Sequence, residues 1–155
     1  MTHESVRACD QGAIRELWEK LPKRDSIYRQ LDARSYENFY RLLQESCLIW
    51  VLPVGFIRVE YDRHTGAWVH GAFWSVDAVR DTEGLRGVMY DLMDALGVYE
   101  LHIAIPMEMR GLAKFVEGLG AVWRGIAKNY YRINEHCHHA MVYDILDDRE
   151  GVAHG

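Results

Sequence analysis

Three groups of side chains in this sequence could do chemistry. His70 lies in the β-rich segment Ala67 to Trp74, where strand alternation puts it on one face with Trp68 and Trp74. Imidazole titrates near neutrality, so His70 is a candidate general base, with Glu60 and His102 as alternatives. A hydrogen-bonded structural role competes at each of these positions, and Glu60 also fits a solvated face. The second group, His136-Cys137-His138-His139, has residue types that bind zinc. Adjacent side chains of an extended segment point apart, however, and no second ligand pair accompanies them. They read as a polar connection, and no metal is expected. Tyr130 and Tyr131 form the third group. They could bound an acceptor pocket or pack in the core.

The composition narrows the partners. Among 155 residues the net charge is -5, and no basic run exceeds Lys23-Arg24. A nucleic-acid partner is therefore not expected, whereas a small cationic substrate such as an amine is compatible. The 49% hydrophobic content places the chain with globular proteins rather than disordered ones. Cys9, Cys47 and Cys137 are odd in number and contain no C-x-x-C pair, which points to a reducing compartment. The start, Met1 to Asp10, lacks the apolar run of a signal peptide. The longest apolar stretch, Cys47 to Ile57, holds Pro53 and Gly55 and is too short to span a bilayer. These features predict a cytoplasmic protein with no membrane partner.

The elements that must position these residues follow from periodicity. Val6 to Cys9 is a strand candidate, and Asp10 then caps a helix whose Ile14, Leu17, Trp18 and Leu21 share a face before Pro22. Tyr36, Phe39, Tyr40 and Leu43 mark a second helix from about Asp32 to Gln44. Cys47 to Leu52, Phe56 to Tyr61 and Ala67 to Trp74 read as an antiparallel meander, with a turn over Asp62–Gly66. Leu85, Val88, Met89, Leu92, Met93 and Leu96 form a wide apolar stripe on a helix from Gly84, ended by Gly97. A strand from Glu100 to Ile105 stops at Pro106. A helix carrying Leu112, Phe115, Val116 and Leu119 follows. Two strands close the chain, Val122 to Ile133 with a break expected at Gly125, and Ala140 to Leu146, joined through Asn134 to His139. The order β-α-α-β-β-β-α-β-α-β-β predicts an α/β fold with a mixed sheet and helices on both faces. Residues 1–147 are expected to form a single domain, and 148–155 a flexible tail.

This order, with its local sequence, resembles the GCN5-related N-acetyltransferases, the GNAT superfamily. The resemblance is carried by Val-Arg-Ala-Cys-Asp (6–10), His-Gly-Ala-Phe-Trp (70–74), Gly-Leu-Arg-Gly-Val-Met-Tyr-Asp-Leu-Met (84–93), Ile-Ala-Ile-Pro (103–106), Leu-Gly-Ala-Val-Trp (119–123) and Met-Val-Tyr-Asp-Ile-Leu (141–146). It spans nearly the whole chain and is tightest over residues 67–146. The chain is especially similar to small acetyltransferase-like proteins of phage and prophage genomes.

The resemblance implies acetyl-CoA as a substrate. Its pantetheine would pair with free backbone groups where the fourth and fifth strands splay, beside Phe73, Trp74 and Ser75. Its pyrophosphate would sit at a helix N-terminus, on Arg80, Thr82, Glu83, Gly84, Leu85, Arg86 and Gly87. The sequence departs from the family pattern at four positions. Asp81 stands where Arg or Gln is usual, Arg86 replaces a small residue, Met109 or Arg110 stands for the family's Asn, and Val116 takes the place of the Tyr that protonates the departing thiolate. Arg80 and Arg86 could offset the charge of Asp81 and Glu83. His70, or Glu60, would then deprotonate the amine. Two functions follow: an acetyl-CoA-dependent N-acetyltransferase with a small-molecule or peptide amine acceptor, or a catalytically degenerate GNAT-like binding or virion-associated module. Homodimer formation stays open.

Overall fold

Asp10 accepts a hydrogen bond from the Ala13 amide at 3.0 Å and so starts the first helix, α1 (Gln11–Lys20), where the sequence places it. The structure is a computed structural model that describes residues 1–31, 33–75, 77–133 and 136–151, with the backbone alone at 26, 29, 30, 78, 79, 132 and 133. Asp32, Asn134 and the tail residues 152–155, to which expectations were attached above, lie outside the described residues. The elements are β1 (Glu4–Ser5), α1, α2 (Asp25–Leu31), α3 (Tyr36–Gln44), β2 (Leu48–Leu52), β3 (Gly55–Asp62), β4 (Gly66–Phe73), α4 (Asp77–Arg80), α5 (Thr82–Leu96), β5 (Glu100–Pro106), α6 (Arg110–Gly118), β6 (Val122–Ile133) and β7 (His136–Leu146). The strands run β1-β2-β3-β4-β5-β7-β6 in one mixed seven-stranded sheet. This is the α/β architecture expected, with two helices added. One is α4, a single turn. The other is α2, whose buried positions Ile27 and Leu31 supply only one i, i+4 repeat, too little periodicity to read.

The chain divides into two units, residues 1–65 with 69–80, and residues 66–68 with 81–155. The first holds β1–β3, most of β4 and helices α1–α4. Its core is Ile14 and Leu17 of α1, Ile27 and Leu31 of α2, Phe39 and Leu43 of α3, and Ile49, Phe56 and Ala72 of the sheet. Phe39 meets Phe56 edge-on at 5.8 Å, a geometry favoured by the ring quadrupoles. β1 lies at Glu4–Ser5 rather than Val6–Cys9, although the Val6 amide still bonds the Ile49 carbonyl at 2.9 Å.

The second unit holds the start of β4, β5, β6, β7, α5 and α6. The stripe Leu85, Val88, Met89, Leu92 and Met93 is fully buried, as its period predicts, and α5 packs on β5. Each such side chain contributes about 1.5–3 kcal/mol by leaving water. Gly97 ends α5 at φ 67°, in the left-handed region where glycine carries no Cβ penalty. β5 pairs with β7 along its whole length, from Glu100↔Leu146 to Pro106↔Ala140. β6 is irregular between Trp123 and Gly125, as expected, and again between Ala127 and Tyr131, where Asn129 adopts φ 52°.

Two expectations change here. His136–His139 is not a connection: it is the first part of β7 and pairs with β6 through Tyr131↔His138 and Ile133↔His136. Asp148 and Arg149, read as the start of a free tail, are held to α5. Tyr90 donates to Asp148, and the Arg149 guanidinium bonds Asp94 at 2.7 and 3.0 Å and Asp147 at 2.7 Å.

Candidate functional site

In the first unit, β3 places Arg58 and Glu60 two residues apart, on one face, and β4 brings His70 to them. Arg58 Nη1 donates to Glu60 Oε1 at 2.5 Å, and the Arg58 side chain is only 6% exposed. His70 Nε2 lies 3.8 Å from Glu60 Oε2, and this buried nitrogen has no hydrogen-bond partner among the described residues. Burial, and then the positive charge of Arg58, lower the His70 pKa to about 4, although Glu60 pulls the other way. His70 is therefore neutral at physiological pH. A base this weak takes a proton from an alkylammonium of pKa ~10 against roughly six powers of ten. The structure thus unites the two expected catalytic residues, but as an ion pair beside a neutral imidazole.

The strand end Phe73–Ser75 is engaged locally. The amides of Trp74 and Ser75 both donate to the Val54 carbonyl, at 3.0 and 3.3 Å. Trp74 packs against the first unit's core, and Ser75 Oγ accepts from the Asp77 amide at 3.2 Å, opening α4. Arg80, the last residue of α4, is exposed.

In the second unit, Thr82, Glu83, Gly84, Leu85, Arg86 and Gly87 form the first turns of α5. Asp81 caps that helix, its Oδ1 accepting from the Gly84 amide at 2.9 Å. Leu85 is fully buried and its amide donates to the Asp81 carbonyl at 3.1 Å. A Cβ on Gly87 would have open space around it. Arg86 does not offset Asp81. Its guanidinium donates to the carbonyls of Leu119 and Gly118, both at 3.3 Å, and so covers the C-terminus of α6. Val116, on α6, is 4% exposed and belongs to the core.

Within this unit one edge of β5 is filled by β7. On the other, His102 pairs in parallel register with Trp68, the last β4 residue of the unit. Past that pair, the unit supplies no further strand to the Ile103–Pro106 edge among the described residues. Tyr131 Oη donates to the Ala104 carbonyl at 2.6 Å.

A second acid–histidine constellation surrounds the same pair. His102 Nδ1 lies 2.6 Å from Asp144 Oδ1, directly across β5 and β7, and Arg124 Nε donates to Asp144 Oδ2 at 3.0 Å. Trp68 lies 5.1 Å from the imidazole and 6.4 Å from Tyr130, centroid to centroid, and Tyr130 packs edge-on against Tyr131. Sequence reading reached His102 only as an alternative base and missed Asp144 and Arg124. The available signal was a lone carboxylate inside the apolar strand Met141–Leu146 and a lone imidazole inside Glu100–Ile105. His138 Nδ1 sits 3.0 Å from Glu108 Oε1, and His139 Nδ1 accepts from the Asn129 amide at 3.0 Å. Among the described residues no group of three or more His, Cys, Asp or Glu is placed to hold a metal ion.

No protein-family model matches the chain, and no curated protein sequence matches it. Solved structures do. A probable acetyltransferase of the GNAT family from Chromobacterium violaceum superposes with a TM-score of 0.71 at 15% identity, covering 94% of this chain and 86% of that one. A ribosomal-protein-S5-alanine acetyltransferase from Vibrio fischeri gives 0.65 at 16% identity, covering 94% and 92%. A mutant spermidine N-acetyltransferase from Vibrio cholerae gives 0.61 at 14% identity, covering 95% of each. The fold of this chain is that of the GNAT acetyltransferases.

Proposed function

We propose that this chain is an acetyl-CoA-dependent N-acetyltransferase acting on a primary amine, with residues 1–147 as its domain. The observation that carries the reading is the edge of β5 past the Trp68↔His102 pair. Backbone groups on the Ile103–Ile105 edge away from β7, apart from the Ala104 carbonyl that Tyr131 holds, meet no further strand of the unit among the described residues and could pair with the amides of pantetheine, as an added strand would. The pyrophosphate lies at the N-terminus of α5, at the Thr82 and Glu83 amides that the helix itself does not use, with the α5 dipole in support, while the Gly84 and Leu85 amides are given to Asp81.

The chemistry is direct attack of the neutral amine on the thioester carbonyl, with the thiolate leaving. A thiol pKa near ~8.5 makes that departure tolerable without the absent tyrosine. His70, neutral and with its Nε2 unbonded among the described residues, serves in this reading as a hydrogen-bonding group of the first unit, and the Arg58–Glu60 pair fixes its surroundings. The acceptor class takes support from the spermidine and ribosomal-protein alanine named for two structures of like fold. A cytoplasmic setting, a phage or prophage origin and a homodimer are parts of this reading. No helix among the described residues is long and apolar enough to cross a membrane.

A second reading, a binding or virion-associated module without turnover, is favoured by one feature of α5. The carboxylate of Asp81 already occupies the place of an anion there, and Arg86 is turned to α6. Calorimetric titration with CoA separates the two: the enzyme releases or takes up heat with saturation in the micromolar to millimolar range, and the module gives none.

A further inference from the structure

We propose that His102, held by Asp144, is the base that removes a proton from an alkylammonium acceptor seated against Trp68 and Tyr130. The proposal rests on the acetyltransferase reading. It starts from a geometry that packing alone does not require. A carboxylate only accepts hydrogen bonds, so the 2.6 Å contact to Asp144 Oδ1 puts the proton on Nδ1 and leaves the lone pair on Nε2. Asp144 is itself fixed, its side chain 7% exposed and its second oxygen bonded to Arg124 at 3.0 Å. Base, orienting carboxylate and a third group that holds the carboxylate make up the arrangement by which an imidazole is kept in one tautomer for proton transfer.

The surroundings of Nε2 fit a cation. Glu100 Oε1 lies 3.8 Å away, beyond hydrogen-bond length and half exposed, so it can attract an ammonium without capping the imidazole. Gly66 lies beside this nitrogen, at φ 96°. A Cβ there would come within 2.7 Å of Nε2, so the glycine keeps the base uncovered. Trp68 and Tyr130 offer aromatic faces beside it, and such faces attract alkylammonium groups. Tyr130 lies within the irregular stretch of β6 between Ala127 and Tyr131. The base also sits at the last β4–β5 pair of the unit, where the free edge proposed for pantetheine begins.

The step balances. The ammonium gives one proton to His102 Nε2. The free amine forms an N–C bond to the thioester carbonyl and the C–S bond breaks. The imidazolium returns its proton to the CoA thiolate, and the second proton of the attacking nitrogen leaves to solvent. Asp144 and Arg124 are positioning residues. The charged groups facing His102 are Asp144 from β7, Glu100 from β5 and, through Asp144, Arg124 from β6.

The test compares the full chain with His102→Gln and Asp144→Asn, using CoA in calorimetry and acetyl-CoA with spermidine or an alanine-initiated peptide in turnover. The expected result for His102→Gln is CoA affinity within about threefold of wild type and kcat lowered ~10²-fold at pH 7. The KM for the amine should move little, and the deficit should shrink as pH rises toward the amine's own pKa of ~10. CoA heat together with an unchanged rate overturns the proposal and leaves the acetyltransferase reading standing. Absent CoA heat in wild type overturns both, and is recognised by that alone. If His102→Gln does not fold, Asp144→Asn decides. It should slow turnover and move the proton off Nδ1 in ring-nitrogen NMR, whereas a wild-type rate overturns the proposal. If wild type binds CoA but acetylates neither amine, the His102 Nε2 signal must still shift with one of them, and an unmoved signal overturns it.

Discussion

Asp81 and Gly84 close the N-terminus of α5 upon itself: the Asp81 carboxylate accepts the Gly84 amide at 2.9 Å and lies so close that a Cβ on residue 84 would collide with it. The glycine of the expected phosphate loop is therefore retained for a packing reason as well. Asp81→Ala should cost about 1 kcal/mol of stability through the lost cap. It should also leave CoA affinity unchanged or raise it, because a negative charge leaves the anion site. Thermal melts and calorimetry on the same variant check both. Weaker CoA binding in Asp81→Ala would show that the carboxylate helps the ligand rather than opposing it.

Arg86→Glu tests where that guanidinium works. It removes two hydrogen bonds to the end of α6 and sets a carboxylate against helix carbonyls, so stability should fall by about 1–2 kcal/mol, a few degrees in Tm. An unaltered melt with much weaker CoA binding would return Arg86 to the phosphate.

His70 makes stability depend on pH. Its folded pKa of about 4 lies below the ordinary imidazole value, so the unfolded chain binds more protons between the two. The contribution of His70 is fully present above pH ~6.5 and is lost as pH falls toward 4, by up to about 3 kcal/mol. Urea denaturation of wild type and His70→Gln at pH 7.5 and 4.5 should show a steeper loss in wild type. Equal losses would mean that His70 titrates normally.

Most of the architecture was legible because it is periodic. The apolar stripe of α5, the Asp10 cap and the strand alternation are local signals, and each expected element formed within a few residues of its place. What escaped depends on register. Whether Asp144 meets His102, or the Arg58–Glu60 pair meets His70, is decided by which strand lies beside which, and no spacing in the sequence states that. His70 looked like a base because its residue type suits one. The burial that makes it a poor one, and the cation Arg58 that adds to it, become visible only when β3 and β4 lie side by side.

Gly66→Ala probes the surroundings of His102 without touching its hydrogen bond to Asp144. The substitution places a Cβ against Nε2 at a backbone φ of 96° that side chains rarely adopt, and should cost roughly 1–3 kcal/mol. The His102 ring signals in NMR should shift while those of His139 stay in place. An unmoved His102 would contradict the close approach.

The central claim is that this chain binds acetyl-CoA and transfers its acyl group, and calorimetric titration of the full chain with CoA tests it most directly. The account predicts one saturable site per chain with a Kd between ~1 µM and ~1 mM, a range that spans about 4 to 8 kcal/mol of binding free energy. It also predicts ring-nitrogen shifts at His102 on saturation. No heat and no thermal shift at millimolar CoA would contradict it and leave the non-catalytic module as the reading of this fold.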